Sequence, residues 1–422
     1  MHPLPVRTSA SLILIGLIAA LLLGACGAAS IPTAPAEPTA PAEPTAPAEP
    51  TAPAEPTAPA EPTAPAEPTA PAEPTVELDD APTLSSAEGV ADGGVERLPL
   101  EDGLTVAYST GMINFDRDTR HTIAIEQQGR EIAAITLENP TYLDPSGVQR
   151  VVITGDGVWL AVESGAGAHG GCFDLVWFDG SQLTNPYSIC GEAPGVAQVR
   201  DLDGDGSAEV IINTTNHYVF CYACGVRDVS FSIMRWDGAG MAAVALAPIA
   251  GDDAATSAAN DALRLASAGL WRDAAAALDG VTATPGSEAF WLISAIRLTA
   301  TGRAEQAQSG IYPLLDHLLY GEYDAAIDSM RTYTPEELLD AAGPLLTGTP
   351  AEGNGEALFA TVAGTAELAL TVQPDAPAAL FLRGWAHVMQ GDRVPGAADL
   401  ARAAELKPDD ALFGALAAAA GR

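Results

Sequence analysis

The feature that most restricts the fold of this chain is the hexapeptide PTAPAE, repeated seven times without a mismatch between Pro32 and Glu73. Proline at every third position removes backbone donors and disfavours helix and sheet, so a disordered, extended polyproline II stalk is expected. At roughly 3.1 Å per residue this stalk reaches about 130 Å. We therefore assign residues 26–100 to a stalk and linker, and expect folded domains only after them.

A short apolar run precedes the stalk. Arg7 is followed by SLILIGLIAALLLGAC, which has the charged start and apolar core of an export signal but is short for a membrane span. The segment LGAC, Leu23 to Cys26, resembles the lipobox of bacterial lipoproteins. That resemblance implies removal of residues 1–25 as a signal peptide and diacylation of the Cys26 thiol. The protein would then be lipid-anchored to the bacterial membrane or envelope, facing outside the cytoplasm. An ordinary signal peptide or an uncleaved anchor are the alternatives.

The charge balance restricts the possible partners. The chain has 19 Lys and Arg against 55 Asp and Glu, a formal net charge of −36, and its single lysine is Lys407. Nucleic-acid binding depends on basic side chains that neutralise phosphates, so no nucleic-acid partner is expected. Because the same acidity repels an anionic membrane surface, membrane attachment is expected to come from the lipid anchor.

Residues 101–250 have the pattern of an all-β domain. Short alternating or β-branched runs such as RVVIT, VWLAVE and EVIIN are separated by Gly and Asp turns, and Asp-Gly pairs begin at positions 156, 179 and 237. We predict a β-sandwich or a propeller-like arrangement for this region.

Residues 251–422 change to Ala- and Leu-rich segments with helical spacing. The stretch AALFLRGWAHVMQGDRVPGAADLARAAELKPDD resembles a tetratricopeptide repeat (TPR). Its matching positions are Gly384, Gly391, Ala403 and Pro408, and its departures are Arg383 for Leu and Gly396 for Ala. The resemblance implies an α-helical solenoid that binds a protein or peptide partner. A generic helical bundle is the alternative.

Four cysteines remain in the predicted β domain: Cys172, Cys190, Cys221 and Cys224. An even number in an exported domain indicates two disulfides, for which three pairings exist. We favour Cys172 with Cys190, because they flank the turn at Asp179-Gly180, and Cys221 with Cys224, provided the chain turns there. A zinc site of the four thiols, or of three with His169, is the alternative.

An acidic turn, RDLDGDGSAEVIIN, occupies residues 200–213. Calcium prefers six to eight hard oxygens, and this turn has the alternating carboxylates and the glycines of such a loop. The candidate ligands are Asp201, Asp203, Asp205, the backbone carbonyl of Ser207, and Glu209. The pattern fits the start of an EF-hand loop but has Ile212 at the twelfth position, and AEVIINT reads as a strand rather than a helix.

An acidic loop followed by a strand resembles the calcium-binding repeats of FG-GAP and VCBS-like domains. The resemblance implies that the same five residues bind a structural Ca²⁺ ion that fastens neighbouring strands. The alternatives are a metal-free Asp-Gly turn and a pair of catalytic carboxylates.

Catalytic motifs do not emerge from the sequence. The six histidines form no H-E-x-x-H pair, the phosphate-binding G-x-x-x-x-G-K-[ST] motif is missing, and Ser164 lacks the G-x-S-x-G frame. We therefore predict a lipid-anchored binding or scaffold protein rather than an enzyme. An exported hydrolase, with its site near His169 and the acidic turn, and a carbohydrate-binding protein using the glycine-rich loops of the β domain are the competing hypotheses.

Overall fold

The structure, a computed structural model, describes four segments of the chain, residues 94–111, 121–139, 142–165 and 169–422. The predicted signal peptide, Cys26 and the PTAPAE stalk lie outside these residues. The described residues belong to one compact unit. Its first part is built of strands and its second part of helices.

The strands of the described segments form three four-stranded antiparallel sheets, each a run of strands adjacent in sequence. Sheet I contains β1 (Val95–Pro99), β2 (Leu104–Ser109), β3 (Thr122–Gln127) and β4 (Arg130–Thr136). Sheet II contains β5 (Val148–Val151), β6 (Val158–Gly165), β7 (Gly171–Phe178) and β8 (Leu183–Gly191). Sheet III contains β9 (Ala197–Arg200), β10 (Glu209–Asn213), β11 (Phe231–Trp236) and β12 (Met241–Val244).

Short turns explain why neighbours in sequence pair with each other. Between β7 and β8, the Asp179 carboxylate accepts hydrogen bonds from the backbone N–H groups of Ser181 (2.7 Å) and Gln182 (2.9 Å). Hydrogen bonds to Gln182 and Ser181 lower the pKa of Asp179 to about 2. The charged carboxylate thus closes the turn, as the Asp-Gly signal in the sequence predicts.

The three sheets stack in sequence order, with sheet II in the middle. Leu160 of β6 and Val176 of β7 are buried in one core with sheet I. Trp159 and Phe173, which face the opposite way, are buried in a second core with Val210 of sheet III. Because side chains alternate along a strand, the central sheet must be apolar on both faces.

Ten helices follow in the part of the chain that the structure describes. They are α1 (Ala254–Ser267), α2 (Trp271–Ala277), α3 (Glu288–Ala307), α4 (Pro313–Tyr320), α5 (Tyr323–Asp328), α6 (Pro335–Leu338), α7 (Gly355–Leu370), α8 (Pro377–Gln390), α9 (Arg393–Leu406) and α10 (Ala411–Ala420). None of these described helices is both long and apolar enough to cross a membrane.

Capping residues set several helix ends. The Asp253 carboxylate accepts hydrogen bonds from two N–H groups at the start of α1, and Thr334 with Glu337 forms a capping box at α6. Gly321 and Gly391 end α4 and α8 with φ values of 92° and 93°, a conformation that favours glycine. Gly391 therefore lies in the turn between α8 and α9.

Helices α8 and α9 pack closely through the two glycines singled out in the sequence. A Cβ atom on Gly384 would lie 2.8 Å from the carbonyl oxygen of Gly396 and 2.9 Å from the backbone nitrogen of Leu400. Arg383, which departs from the TPR pattern, instead forms two hydrogen bonds to Asp399, of 2.7 and 2.8 Å. Both departures from that pattern therefore have a structural role at the α8–α9 contact.

The predicted order of a strand-rich region followed by a helical region is confirmed, with β12 ending at Val244 and α1 beginning at Ala254. Two features differ from expectation. The first strand begins at Val95, inside the segment assigned to the linker, because its five residues pair with β2. The strand and helix regions also share a core, in which Ile211 and Ile233 pack with Leu263 of α1 and Ile296 of α3.

We predict that Gly384→Ala lowers the free energy of unfolding by roughly 1–3 kcal/mol, because the new methyl group meets backbone atoms that cannot move aside. Gly364→Ala in α7 is the matched control, since a Cβ atom there meets nothing within 4 Å. That substitution is expected to stabilise by about 0.5–1 kcal/mol. Urea denaturation followed by circular dichroism measures both, and equal effects would contradict the close α8–α9 contact.

Candidate metal centre

The acidic turn connects β9 to β10 as a hairpin. Glu209 is the first residue of β10 and pairs with Arg200, the last residue of β9. The sequence therefore correctly indicated a strand, rather than an EF-hand helix, after the loop. The hairpin holds the carboxylates of Asp201 and Glu209 near each other at one end of sheet III.

Carboxylates and backbone N–H groups give the loop its shape. Asp201 accepts hydrogen bonds from the N–H groups of Gly204 (2.6 Å) and Gly206 (3.0 Å). These glycines have φ values of 73° and 92°, which explains why glycine is needed at both positions. Asp205 accepts a 2.7 Å hydrogen bond from the N–H group of Ser207.

Three of the predicted ligands come together. Asp201, Asp203 and Glu209 each offer a carboxylate oxygen within 4.8 Å of the others. Asp203 and Glu209 are buried, with 4% and 1% of their surface exposed, whereas Asp201 is exposed. Asp205 is not part of this group. The group could hold a metal ion, and its oxygen donors suit a hard cation such as calcium, magnesium or manganese rather than zinc.

Arg235 of β11 also belongs to this site, although no pattern in the sequence predicts it. Its Nη2 atom lies 2.8 Å from Oδ2 of Asp203 and 2.6 Å from Oε1 of Glu209. Burial lowers the pKa of Arg235, but hydrogen bonding and charge from Glu209, with the charge of Asp203, outweigh this effect and raise the pKa above its usual value. The sequence FSIMRW of this strand does not indicate which carboxylates form ion pairs with its arginine.

The cluster retains an excess of negative charge. Asp201, Asp203 and Glu209 carry three negative charges, and Arg235 supplies one positive charge to them. The other carboxylate oxygen of Glu209 accepts a 2.9 Å hydrogen bond from the N–H group of Leu202. A bound cation would therefore find uncompensated charge here, and it would share Asp203 and Glu209 with the guanidinium group.

The same loop lies where the strands meet the helices. The N–H group of Gly286, which precedes α3, donates a 2.6 Å hydrogen bond to the carbonyl of Asp203. Arg235 also lies over the ring of Trp291 in α3, 5.7 Å from its centroid. Any ion bound by the loop would therefore stabilise the contact between sheet III and α3 as well as the hairpin.

Both favoured cysteine pairings are confirmed. Cys172 and Cys190 face each other in the β7–β8 register and form a disulfide, and Cys221 with Cys224 closes a short 3-10 turn. The alternative zinc site is therefore wrong, because the thiols that it needs are bonded to each other. Two disulfides indicate an oxidising, extracytoplasmic location.

The Cys221–Cys224 loop makes a second contact between strands and helices. The ring of Phe220 packs edge-on against Tyr312, with centroids 6.0 Å apart, and Val226 is fully buried in the helical core. The side chain of Gln306 in α3 donates a 3.4 Å hydrogen bond to the carbonyl of Gly225. Together with the acidic loop, this segment holds sheet III against α3.

His169 and Ser164, which the hydrolase hypothesis singled out, contact aromatic side chains or lie within a strand. His169 is exposed and packs against Tyr222, with ring centroids 4.3 Å apart. Ser164 lies in β6 opposite Cys172 and is 6% exposed. His217, which also packs near Tyr222, has a pKa lowered by burial and by the charge of Arg227.

Comparison with known proteins gives no identification. No protein-family model, curated protein or solved structure matches the chain.

We predict that Arg235→Gln lowers the free energy of unfolding by about 1–3 kcal/mol, because Asp203 and Glu209 lose their charged partner. The loss is smaller than for a fully buried pair, since 42% of the Arg235 side chain is exposed. Arg393→Gln, at an exposed site in α9, is the control and is expected to change stability by no more than about 0.5 kcal/mol. Chemical denaturation measures both, and an unchanged midpoint for Arg235→Gln would contradict a stabilising role.

Proposed function

We propose that this chain is a lipid-anchored binding or scaffold protein of the bacterial envelope, with a structural calcium ion in its strand region. Its helical region would bind a protein or peptide partner in the manner of TPR proteins. The observation that carries the proposal is the close contact between α8 and α9 at Gly384 and Gly396. Such small-residue contacts bring paired helices together in helical repeats, whose stacking leaves an extended surface for partners.

The anchored location is supported by two independent features. The disulfides Cys172–Cys190 and Cys221–Cys224 suit an oxidising compartment. The LGAC motif supplies Cys26 as the lipid acceptor, and the PTAPAE stalk supplies the distance between the membrane and the folded unit. The stalk would let the folded unit meet partners well beyond the lipid surface.

Calcium is the cation that the acidic loop supports best. Two buried carboxylates and one exposed carboxylate converge at the start of β10, and Arg235 compensates only part of their charge. Four-stranded meanders stacked face to face also suit an FG-GAP-like arrangement, because such meanders are the units of β-propellers. We assign the ion a structural role, since the loop contacts α3 through Gly286.

A binding role accounts for the surroundings of His169 better than catalysis does. Its ring packs against Tyr222, and the surface around it includes a disulfide and further aromatic side chains. A hydrolase would need a nucleophile and an orienting group within hydrogen-bond reach of this imidazole. We therefore propose that the protein is not an enzyme.

Binding is tested with the full-length Cys26→Ser protein as bait in extracts of the bacterial envelope. We expect saturable retention of a specific protein or peptide, competed by excess free bait. Hydrolase substrates should remain unchanged under the same conditions. Turnover that His169→Ala abolishes, without any saturable partner, would replace the binding proposal by the hydrolase hypothesis.

Lipid attachment gives a separate prediction. Wild-type protein expressed with labelled palmitate should incorporate the label and fractionate with membranes, whereas Cys26→Ser should lose both properties because its hydroxyl replaces the acyl-accepting thiol. Ser30→Ala is the control and should behave like the wild type. Membrane association of an unlabelled Cys26→Ser protein would favour an uncleaved anchor.

Calcium binding is tested by differential scanning calorimetry. A calcium concentration about a hundredfold above Kd should stabilise the protein by roughly 2.7 kcal/mol, and chelator should reverse the shift. Asp201→Asn should weaken the effect, since it removes one of the three converging charges. Asp179→Asn, which alters a carboxylate-closed turn elsewhere, is the matched control. Identical melting temperatures with calcium and with chelator would leave the loop as a metal-free turn.

A further inference from the structure

An open groove of about 640 Å³ lies between sheet III and helix α3, beside the acidic loop. One wall carries Gln198 and Arg200 of β9. The other is a face of α3, on which Phe290, Arg297 and Glu305 follow each other at helical spacing. Within the described residues β9 pairs only with β10, so its outer edge leaves backbone groups for another extended segment.

Two arginines that line this groove, Arg200 and Arg297, form no ion pair with another described residue. Most arginines of the described segments form ion pairs, but Arg200 is exposed and has no acidic partner there. Arg297 donates hydrogen bonds to the backbone carbonyls of Leu278 (2.6 Å) and Val281 (3.4 Å) rather than to a carboxylate. Arg297 makes both bonds through Nη2, so within the described residues its Nε and Nη1 atoms, together with the Arg200 guanidinium, remain for an anion that enters the groove.

Two acidic side chains also line the groove. Asp201 is held by hydrogen bonds from N–H groups of its own loop, and its charge belongs to the cluster with Asp203 and Glu209. Glu305 is exposed and has no cationic partner among the described residues. It lies eight residues beyond Arg297, which corresponds to about 12 Å along α3. The groove thus offers positive and negative charge at separate places.

Apolar side chains lie along the groove between these charges. Phe231 of β11 and Leu298 of α3 line it. Helix α3 approaches the strands closely at Gly302, where a Cβ atom would lie 2.9 Å from Val229 and 3.4 Å from the ring of Phe231. This close contact gives the groove an apolar floor at the Glu305 end.

We propose that this groove binds a short extended peptide with free termini. Its terminal carboxylate would meet Arg200 and Arg297, its terminal ammonium group would meet Glu305, and apolar side chains would pack on Phe231. At about 3.3 Å per residue, roughly four extended residues span the 12 Å between the backbone positions of Arg297 and Glu305 on α3, whereas a single amino acid does not. The inference rests on the proposed binding role and names a site separate from the α8–α9 pair.

The test uses calorimetric titration of the full-length Cys26→Ser protein with an equimolar pool of tetrapeptides built from Ala, Ser, Leu and Phe. We expect saturable binding of the pool with free termini, weakened about tenfold when the same pool carries C-terminal amides, because charge-assisted hydrogen bonds to arginine are lost. N-terminal acetylation should weaken binding less, since one exposed carboxylate contributes modestly.

Variants identify the site. Arg200→Gln should weaken binding of the free-termini pool severalfold and reduce its preference over the amidated pool, because Arg297 still faces the terminal carboxylate. Arg393→Gln, which removes an exposed arginine outside the groove, should bind as the wild type does. Absence of binding by the free-termini pool, or binding that Arg200→Gln leaves unchanged, overturns the inference.

The failure of this inference and that of the proposed function are distinguishable. If the envelope partner is retained equally by wild-type and Arg200→Gln bait while no tetrapeptide binds, the groove proposal is wrong and the binding role stands. If neither a partner nor a peptide binds, both are wrong.

Discussion

The acidic loop at the junction between sheet III and α3 depends on how two buried carboxylates are compensated. Asp203 and Glu209 are removed from water at the start of β10, and both reach the guanidinium group of Arg235 on the neighbouring strand. A buried charge without a partner is costly, so the three side chains fix the position of the loop relative to β11. The carbonyl of Asp203 in turn accepts a hydrogen bond from the N–H group of Gly286, next to Ser287, whose side chain caps α3.

The stacking of the sheets depends on whether a strand carries apolar residues on one face or on both faces. In β7 nearly every residue is buried, since Phe173 faces sheet III and Val176 faces sheet I. Sheet III is also apolar on both faces, but its two faces contact different partners. Val210 faces sheet II, and Ile211 faces the helices. The helical region thus takes the place of a further sheet, and it cannot be separated from the strands without exposing Ile211.

The sequence predicted those features that depend on near neighbours. The β7–β8 hairpin follows from its Asp-Gly turn, and the disulfide between Cys172 and Cys190 follows from that hairpin. The loop glycines likewise predicted the bend at Asp201. Arg235 escaped prediction because its partners lie 26 and 32 residues away in sequence, beyond any local pattern. The core shared by the strands and the helices was not predicted either. The spacing of apolar residues shows that a face is buried, but it does not show which element covers that face.

The position of β1 in the fold has a mechanical consequence. Among the described strands, β1 lies at the edge of sheet I and pairs only with β2, through five residue pairs from Val95 to Pro99. The chain enters the described unit at this strand, whereas α3 is fastened at two separate loops on the far side of the stack. Force applied to the chain ahead of Val95 would therefore act first on the β1–β2 ladder. Strand β1 would then separate from β2 before the acidic loop, the disulfides or the helices are disturbed.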